Sequence, residues 1–88
     1  MKVHLRKTYL LHFSNFDDFI QFTIEFKRKK FSKILITPLR FNRELYCICK
    51  IPINLEIIMV HIKEYCSMNT INNIEEAYLK EYGEIIKP

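Results

Sequence analysis

Glycine, proline and tryptophan are scarce, with one glycine, three prolines and no tryptophan among 88 residues. So little Gly and Pro excludes collagen-like and low-complexity linker sequences, and one glycine cannot build a glycine-rich phosphate-binding loop. No apolar run reaches about 18 residues, so no transmembrane helix is predicted, and the first residues lack the apolar segment of a signal peptide. Three cysteines are too few for a disulfide framework. These absences favour a reduced, cytoplasmic protein that does not cross a membrane.

The remaining composition is typical of a folded domain. Apolar residues make up 49% and charged residues 27% of the chain, which predicts one globular domain over residues 1–88 rather than disorder. Lys and Arg number 14 against 10 Asp and Glu, giving a net charge of +4. A basic chain of this kind permits an acidic partner but does not require one.

The N-terminal part predicts a strand and a helix. Apolar and polar residues alternate over residues 3–13, which is the pattern of a half-buried strand. Ser14 and Asn15 are suitable helix N-caps. The apolar residues that follow have helical spacing: Phe16, Phe19, Ile20, Thr23 and Phe26. We therefore predict a helix over residues 15–30.

A hairpin is predicted next in the chain. Residues 33–37 have the pattern of a short buried strand that ends at Pro38, and residues 39–43 form a polar connection. Residues 44–51 are predicted as the second strand, which Pro52 ends.

The C-terminal part predicts a helix, a loop, a strand and a tail. Apolar residues repeat at i, i+3, i+4 and i+7 over residues 54–66, which predicts a second helix capped by Asn54. Residues 67–70 are predicted as a loop and residues 71–78 as a strand. The sole glycine, Gly83, is predicted to adopt a positive φ in a turn of the tail.

The order of these elements favours one architecture. The predicted order is strand, helix, strand, strand, helix and strand. Elements in this order pack most economically as an α+β fold of the split-βαβ (ferredoxin-like) type. Both helices would then lie on one face of an antiparallel sheet. Many functions share this fold, so the function has to be sought in particular residues.

The cysteines and histidines predict neither a metal site nor a catalytic site. Cys47 and Cys49 lie two apart on a predicted strand, so both point to one face. Burial in the core explains them better than half of a metal site or a redox pair, since structural zinc needs about four ligands. The sequence places no nucleophile or orienting carboxylate beside His4, His12 or His61. We therefore expect a protein that is not an enzyme and binds no cofactor or metal.

One strong basic cluster lies at the end of the first predicted helix. It consists of Lys27, Arg28, Lys29, Lys30 and Lys33. A solvated helix end that complements the helix dipole explains it most simply. The alternative function is a small nucleic-acid-binding domain that grips phosphates with this cluster, although Tyr46 is the only evident aromatic platform for a base.

Two acidic–aromatic pairs remain. Glu64 and Tyr65 lie at the end of the second predicted helix, and Glu81 and Tyr82 precede Gly83 in the tail. An exposed carboxylate beside a tyrosine is suited to anchor the basic surface of a protein partner.

Four segments share their order and character with a known domain. They are residues 13–20 (FSNFDDFI), 44–48 (ELYCI), 62–65 (IKEY) and 78–86 (YLKEYGEII). Together they resemble the C-terminal domain of MecA-type adaptor proteins over nearly the whole chain. The last segment is the most specific of the four.

The resemblance implies a partner and a role. MecA-type adaptors of low-GC Gram-positive bacteria serve ClpC, the Hsp100-class AAA+ unfoldase that feeds the ClpP protease, and their C-terminal domain docks on the unfoldase. The acidic docking residues of the family match Glu64 and Glu81 here. Tyr65 and Tyr82 would supply adjacent apolar contacts, with Gly83 completing the second motif. The resemblance therefore implies a non-enzymatic adaptor or regulator of regulated proteolysis.

The chain also departs from that family. Its residues contain no counterpart of the N-terminal substrate domain, Cys66 stands where the family usually has Gly, residues 67–69 resemble an insertion, and the net charge is positive. We therefore expect a docking module that activates the unfoldase, competes with full adaptors or carries cargo on another surface. A homodimer, a nucleic-acid-binding domain and, least favoured, a small enzyme are the alternatives.

Overall fold

A single open antiparallel sheet organises the computed structural model, which describes residues 5–28 and 33–87. Its strands are β1 (Arg6–Phe13), β2 (Leu35–Phe41), β3 (Glu44–Pro52), β4 (Ser67–Thr70) and β5 (Glu84–Ile85), hydrogen-bonded in the order β4-β1-β3-β2-β5. The helices in the described residues are α1 (Phe16–Arg28), α2 (Ile58–Ile62) and α3 (Asn73–Tyr82). The predicted α+β class is confirmed.

The main core lies between one face of the sheet and the helices α1 and α2. Successive strand residues point to opposite faces, and the buried residues on this face come from β1 and β3. With their helical partners they form one cluster: Tyr9, Leu11, Phe13, Phe19, Phe22, Phe26, Ile34, Leu45, Cys47, Cys49, Ile51, Ile58 and Ile62. Residues from both of the helical segments predicted from the first and second periodic runs thus belong to this one core cluster.

The start of α1 follows from its sequence. Asn15 Oδ1 accepts a hydrogen bond from the backbone N–H of Asp18 at 2.8 Å, which satisfies one of the free donors at the helix terminus. Asp17 and Asp18 place negative charge in the first turn, where the helix dipole favours it. The predicted N-cap is thus confirmed. The buried stripe differs from the predicted one, because Phe22 is fully buried whereas Phe16 is exposed.

A third helix, α3, covers the opposite face of the sheet. The sequence predicts a strand over residues 71–78, and this prediction is wrong. Asn72 and Glu75 form a capping box: Asn72 Oδ1 accepts from the Glu75 N–H at 2.8 Å, and Glu75 Oε1 accepts from the Asn72 N–H at 3.1 Å. This start signal sets the segment as helical. Leu79 of α3 packs with Leu39 and Ile48 in a second, smaller core.

The helix predicted over residues 54–66 is interrupted. The chain forms a 3-10 turn at Ile53–Leu55, then α2, then a turn at 63–65. Asn54 lies inside the 3-10 turn and provides no cap, since no side-chain cap is present at either helix. β-branched residues crowd this segment and lower its helix propensity. Its apolar positions nonetheless face the main core as predicted: Leu55, Ile58, Met59, Ile62, Tyr65 and Cys66.

The predicted hairpin is confirmed, but β2 continues past Pro38. The carbonyl of Pro38 accepts a hydrogen bond from the Ile86 N–H at 2.9 Å. Because the nitrogen and the carbonyl of one residue face the same neighbouring strand, the ring nitrogen of Pro38 also faces β5, and its missing N–H removes no hydrogen bond to β3. The turn consists of Asn42 and Arg43, both with positive φ (49° and 66°). Two such residues are typical of a type I′ hairpin turn.

Two smaller predictions at the C-terminal end are wrong. Residues 67–70 are not a loop but the edge strand β4, which pairs with β1 from Tyr9–Thr70 to His12–Ser67. Gly83 is extended, with φ −85° and ψ 167°, rather than at positive φ. It ends α3, and its N–H donates to the Leu79 carbonyl at 2.8 Å.

Candidate functional site

Glu76 fixes the position of α3 on the sheet. The residue is 7% exposed, and its carboxylate accepts hydrogen bonds from Lys50 Nζ of β3 and from Lys80 Nζ of α3, each at 2.9 Å. Burial by itself raises the pKa of the Glu76 carboxyl, but hydrogen bonds and charge from Lys80 and Lys50 outweigh it and leave the pKa below its ordinary value. The ion pair between Glu76 and Lys50 therefore holds α3 in one orientation on the sheet.

We expect the stability of the domain to fall in acid as Glu76 takes up a proton. A lowered pKa means that its contribution is complete above the ordinary value of 4.5 and is lost as the pH falls through the folded value. Glu76→Gln should lower the free energy of unfolding by about 1–2 kcal/mol at neutral pH, and this loss should shrink as the pH falls below 4.5. Urea unfolding at neutral pH and at a series of decreasing pH values measures the difference.

The matched control for this prediction is Glu81→Gln on the same helix. Glu81 is exposed, so its variant removes the same charge without removing a buried ion pair. Equal losses of stability in the two variants, or a loss in Glu76→Gln that does not depend on pH, would contradict the role assigned to Glu76.

An apolar stripe runs along the outer side of α3. Ile74, Tyr78 and Tyr82 are spaced four residues apart and are all more than half exposed. The rings of Tyr78 and Tyr82 lie 4.7 Å apart, and Tyr78 contacts Phe41 of β2 at 6.0 Å, both measured between centroids. Contiguous exposed apolar surface of this kind marks interaction sites.

An open groove, here named the α3 groove, lies between this helix and the sheet. Its volume is about 360 Å³. The lining residues are Leu10, Phe41, Ile71, Ile74, Glu75, Tyr78 and Leu79. Glu75 is the single charged residue among them.

A polar cluster lies on the same sheet face as the α3 groove. His12 Nε2 lies 3.0 Å from Glu44 Oε1, and the Tyr46 hydroxyl donates to Glu44 Oε2 at 3.3 Å. Burial, followed by the charge and hydrogen bond of Glu44, raises the pKa of Tyr46. Tyr46 is half-buried beneath the His12 ring, with centroids 5.0 Å apart. It is therefore not the open stacking platform considered from the sequence.

The second acidic–aromatic motif lies at the end of α3. Glu81 and Tyr82 are both exposed, and in the described part of the chain the Glu81 carboxylate forms no ion pair. Gly83 is half-buried against β2. A Cβ at this position would lie 2.5 Å from the Leu79 carbonyl oxygen and 2.6 Å from Leu39 Cδ1, so there is no space for a side chain. Close packing therefore explains why this position is glycine, and a contact with a partner protein is not needed to explain it.

The first motif lies in the other helical layer. Glu64 is exposed in the turn after α2 and forms no ion pair with a described residue. The ring of Tyr65 is half-buried at 6.3 Å from Phe22, so it packs against the main core. The predicted docking residues therefore form two groups on opposite faces of the sheet rather than one patch.

The cysteines belong to the packed interior. Cys47 and Cys49 are fully buried on one sheet face, as predicted, and Cys66 is half-buried. Burial raises the pKa of the Cys49 and Cys66 thiols to about 12, and it raises that of Cys47 well above its usual value. These thiols are thus predominantly protonated at neutral pH.

The basic cluster lies largely outside the described residues. Lys29 and Lys30 are among the residues not described, and of Lys27 and Arg28 only the helical backbone is. Lys33 is exposed, and its carbonyl accepts a hydrogen bond from Arg6 Nε at 3.2 Å.

Within residues 5–28 and 33–87, no three His, Cys, Asp or Glu side chains are grouped to hold a metal ion. No helix in the same ranges has both the length and the apolar character for a membrane crossing.

Comparison with known proteins does not assign the chain to a family. No family model, curated protein or solved structure matches it. The function is therefore proposed from the residues of the chain and from the resemblance of its four segments.

Sequence reasoning missed the α3 groove. The sequence pattern predicts a strand for Ile74 and Tyr78, on which they would share a face with Glu76. The signal that could have revealed them is Asn72 followed three residues later by Glu75, a capping-box spacing that precedes an apolar repeat.

Proposed function

We propose that this protein is a non-enzymatic adaptor or regulator that docks on a Clp-type (Hsp100) AAA+ unfoldase and modulates regulated proteolysis. The observation that carries the proposal is the surface of α3, on which the Glu81 carboxylate lies beside the exposed ring of Tyr82 and forms no ion pair with the residues that the structure describes. A carboxylate next to an aromatic ring is suited to a partner surface rich in arginine. The resemblance to MecA-type C-terminal domains supplies the identity of that partner.

We also propose that the sheet is of the split-βαβ type. The order β4-β1-β3-β2, all antiparallel, together with α1 and α2 in one core cluster, supports this architecture. In this interpretation α3 and β5 are additions at the C-terminal end of the motif. They carry the Glu81–Tyr82 group on the face that α1 and α2 leave open.

The two acidic groups make separate contributions to docking. Glu64 follows α2 and Glu81 lies in the last turn of α3, so a partner that engages both must contact both helical layers. Tyr82 is available for contact, whereas Tyr65 and Gly83 act mainly by packing. Charge reversal at one site should therefore weaken the complex without removing the contact at the other.

We expect the chain to co-elute with a ClpC-type unfoldase in size-exclusion chromatography with ATP at physiological salt. Glu64→Lys and Glu81→Lys should each weaken the complex by roughly tenfold or more, because a like charge replaces an attractive one. The double variant should abolish co-elution at micromolar concentrations. Far-UV circular dichroism and thermal unfolding should remain unchanged, since both residues are exposed.

Glu56→Lys is the matched control, an exposed glutamate outside both motifs. It introduces the same change in charge and should leave the complex intact. A double Glu64→Lys, Glu81→Lys variant that still co-elutes would show that these residues are not the docking anchors. No complex with the unmodified chain would show that the resemblance does not extend to this partner.

A further inference from the structure

We infer that the α3 groove binds a short segment of another protein that presents an aliphatic or aromatic anchor with a Lys or Arg close to it. Ile74, Tyr78 and Glu75 line the groove itself, whereas the docking proposal uses Glu81 and Tyr82 at the end of the same helix. The role of the groove holds whether or not the unfoldase is the partner of Glu64 and Glu81.

The shape and lining of the groove suit an apolar anchor. Its volume of about 360 Å³ lies at the lower end of the usual range for ligand pockets. Apart from Glu75 every lining side chain is apolar or aromatic, so the groove has few groups to orient a polar small molecule. A leucine or phenylalanine side chain that enters between α3 and β1 would replace water against the apolar side chains that line the groove.

The rim extends the apolar contact beyond the groove itself. Ile74 is 81% exposed at one end of α3, and the paired rings of Tyr78 and Tyr82 continue the stripe to the other end. Aromatic residues at the centre of an interface commonly dominate its affinity. A segment lying along α3 would cover this stripe while its anchor fills the groove.

The charged residues beside the groove favour a basic segment of the partner protein. Glu75 lines it, Glu81 lies one turn beyond Tyr78 on the helix, and Glu44 is directly opposite Phe41 on the sheet. The lysines of this face, Lys50 and Lys80, are both bound to Glu76. Because these two lysines share one carboxylate, they leave one positive charge against the carboxylates of Glu75, Glu81 and Glu44, so the sum of these charges beside the groove is negative, although the whole chain is basic.

The same charges argue against two other occupants. A second copy of the chain would bring its own Glu75 and Glu81 to the symmetric contact, and like charges at an interface are unfavourable. Nucleic acid would bring phosphates to the same carboxylates, which do not attract a polyanion. A basic segment of a different protein complements both the apolar and the charged parts of the surface.

The test is a selection of displayed random 12-residue peptides against the immobilised full chain, followed by affinity measurements on synthetic copies. We expect enriched peptides to combine an aliphatic or aromatic residue with Lys or Arg within about one helical turn. Ile74→Ser should weaken their binding about tenfold, the order expected for losing one buried aliphatic contact. Higher salt should weaken binding to the unmodified chain.

The chain offers a well-matched control in Ile57→Ser. Ile57 is also 81% exposed but precedes α2, in the layer on the opposite face of the sheet, so its variant should bind the peptides like the unmodified chain. Glu75→Gln keeps an oxygen to accept from the Asn72 N–H and should reduce the salt dependence. Chemical-shift changes on binding should map to α3 and to Leu10 and Phe41.

Several results would overturn the inference. They are the absence of any enriched peptide, enrichment of acidic or uncharged peptides, and equal effects of Ile74→Ser and Ile57→Ser. Self-association of the chain in sedimentation equilibrium that Ile74→Ser removes would assign the groove to a second copy instead. None of these measurements uses the unfoldase, so failure here is distinguishable from failure of the proposed docking.

Discussion

Replacing Phe22 with alanine is expected to lower the free energy of unfolding by about 3–5 kcal/mol. Phe22 is 0% exposed, and its ring lies 4.3 Å from that of Phe26 and 5.2 Å from that of Phe13, between centroids. Alanine would leave a cavity between α1 and the sheet that these neighbours can fill only in part. Domains of this size are stable by roughly 5–15 kcal/mol, so the loss is a large fraction of the total.

Urea unfolding followed by circular dichroism measures this loss, with Phe16→Ala as the control. Phe16 lies on the same helix but is 56% exposed, so its removal should cost well under half as much. Equal losses in the two variants would mean that Phe22 does not hold the central position in the core.

Gly83→Ala is expected to destabilise the domain by about 1–3 kcal/mol through overpacking. The backbone at φ −85° is open to any residue, so strain in φ does not contribute. The cost is spatial, because the new Cβ would meet the carbonyl oxygen of Leu79 at 2.5 Å and Leu39 Cδ1 at 2.6 Å. Since the oxygen belongs to the backbone, the end of α3 would have to move away from β2.

Thermal and urea unfolding of Gly83→Ala test this prediction, with Tyr82→Ala as the neighbouring control. Tyr82 is exposed, so its variant should retain most of the stability while reducing the apolar stripe. If Gly83→Ala folds with unchanged stability and instead loses co-elution with the unfoldase, then the glycine is a contact residue and the packing explanation is wrong.

The two predictions concern different layers of the same sheet. Phe22 holds α1 to the face that the sequence identified as buried, whereas Gly83 allows α3 to approach the face that the sequence did not identify. The proposed docking carboxylates divide in the same way, with Glu64 beside the first layer and Glu81 in the second. Core packing and partner contact can therefore be tested by separate substitutions within each layer.

Local signals in the sequence located the first strand and the start of the first helix. Alternation located β1, and Asn15 with the two acidic residues after it located the start of α1, because strand pleating and helix capping depend on near neighbours. Periodicity identified an apolar helix but placed Phe16 rather than Phe22 in the core. The exact angle of a helix on its sheet depends on the partner surface, which the periodic pattern does not contain.

The C-terminal part required the tertiary structure. Residues 67–70 have no strand pattern and form β4 only because β1 offers them an edge to pair with. Residues 71–78 alternate weakly like a strand, yet the capping box and the Glu76 contacts with Lys50 and Lys80 make them helical. β-branched residues after β3 likewise reduced a predicted long helix to α2.

The sequence by itself determined the α+β class, the hairpin, the first helix with its cap and the burial of Cys47 and Cys49, since each depends on local pattern. It also supplied the acidic–aromatic pairs and the resemblance on which the docking proposal rests. The tertiary structure decided that these pairs occupy opposite layers and that the α3 groove exists. Both follow from contacts between residues far apart in the chain, which no local pattern encodes.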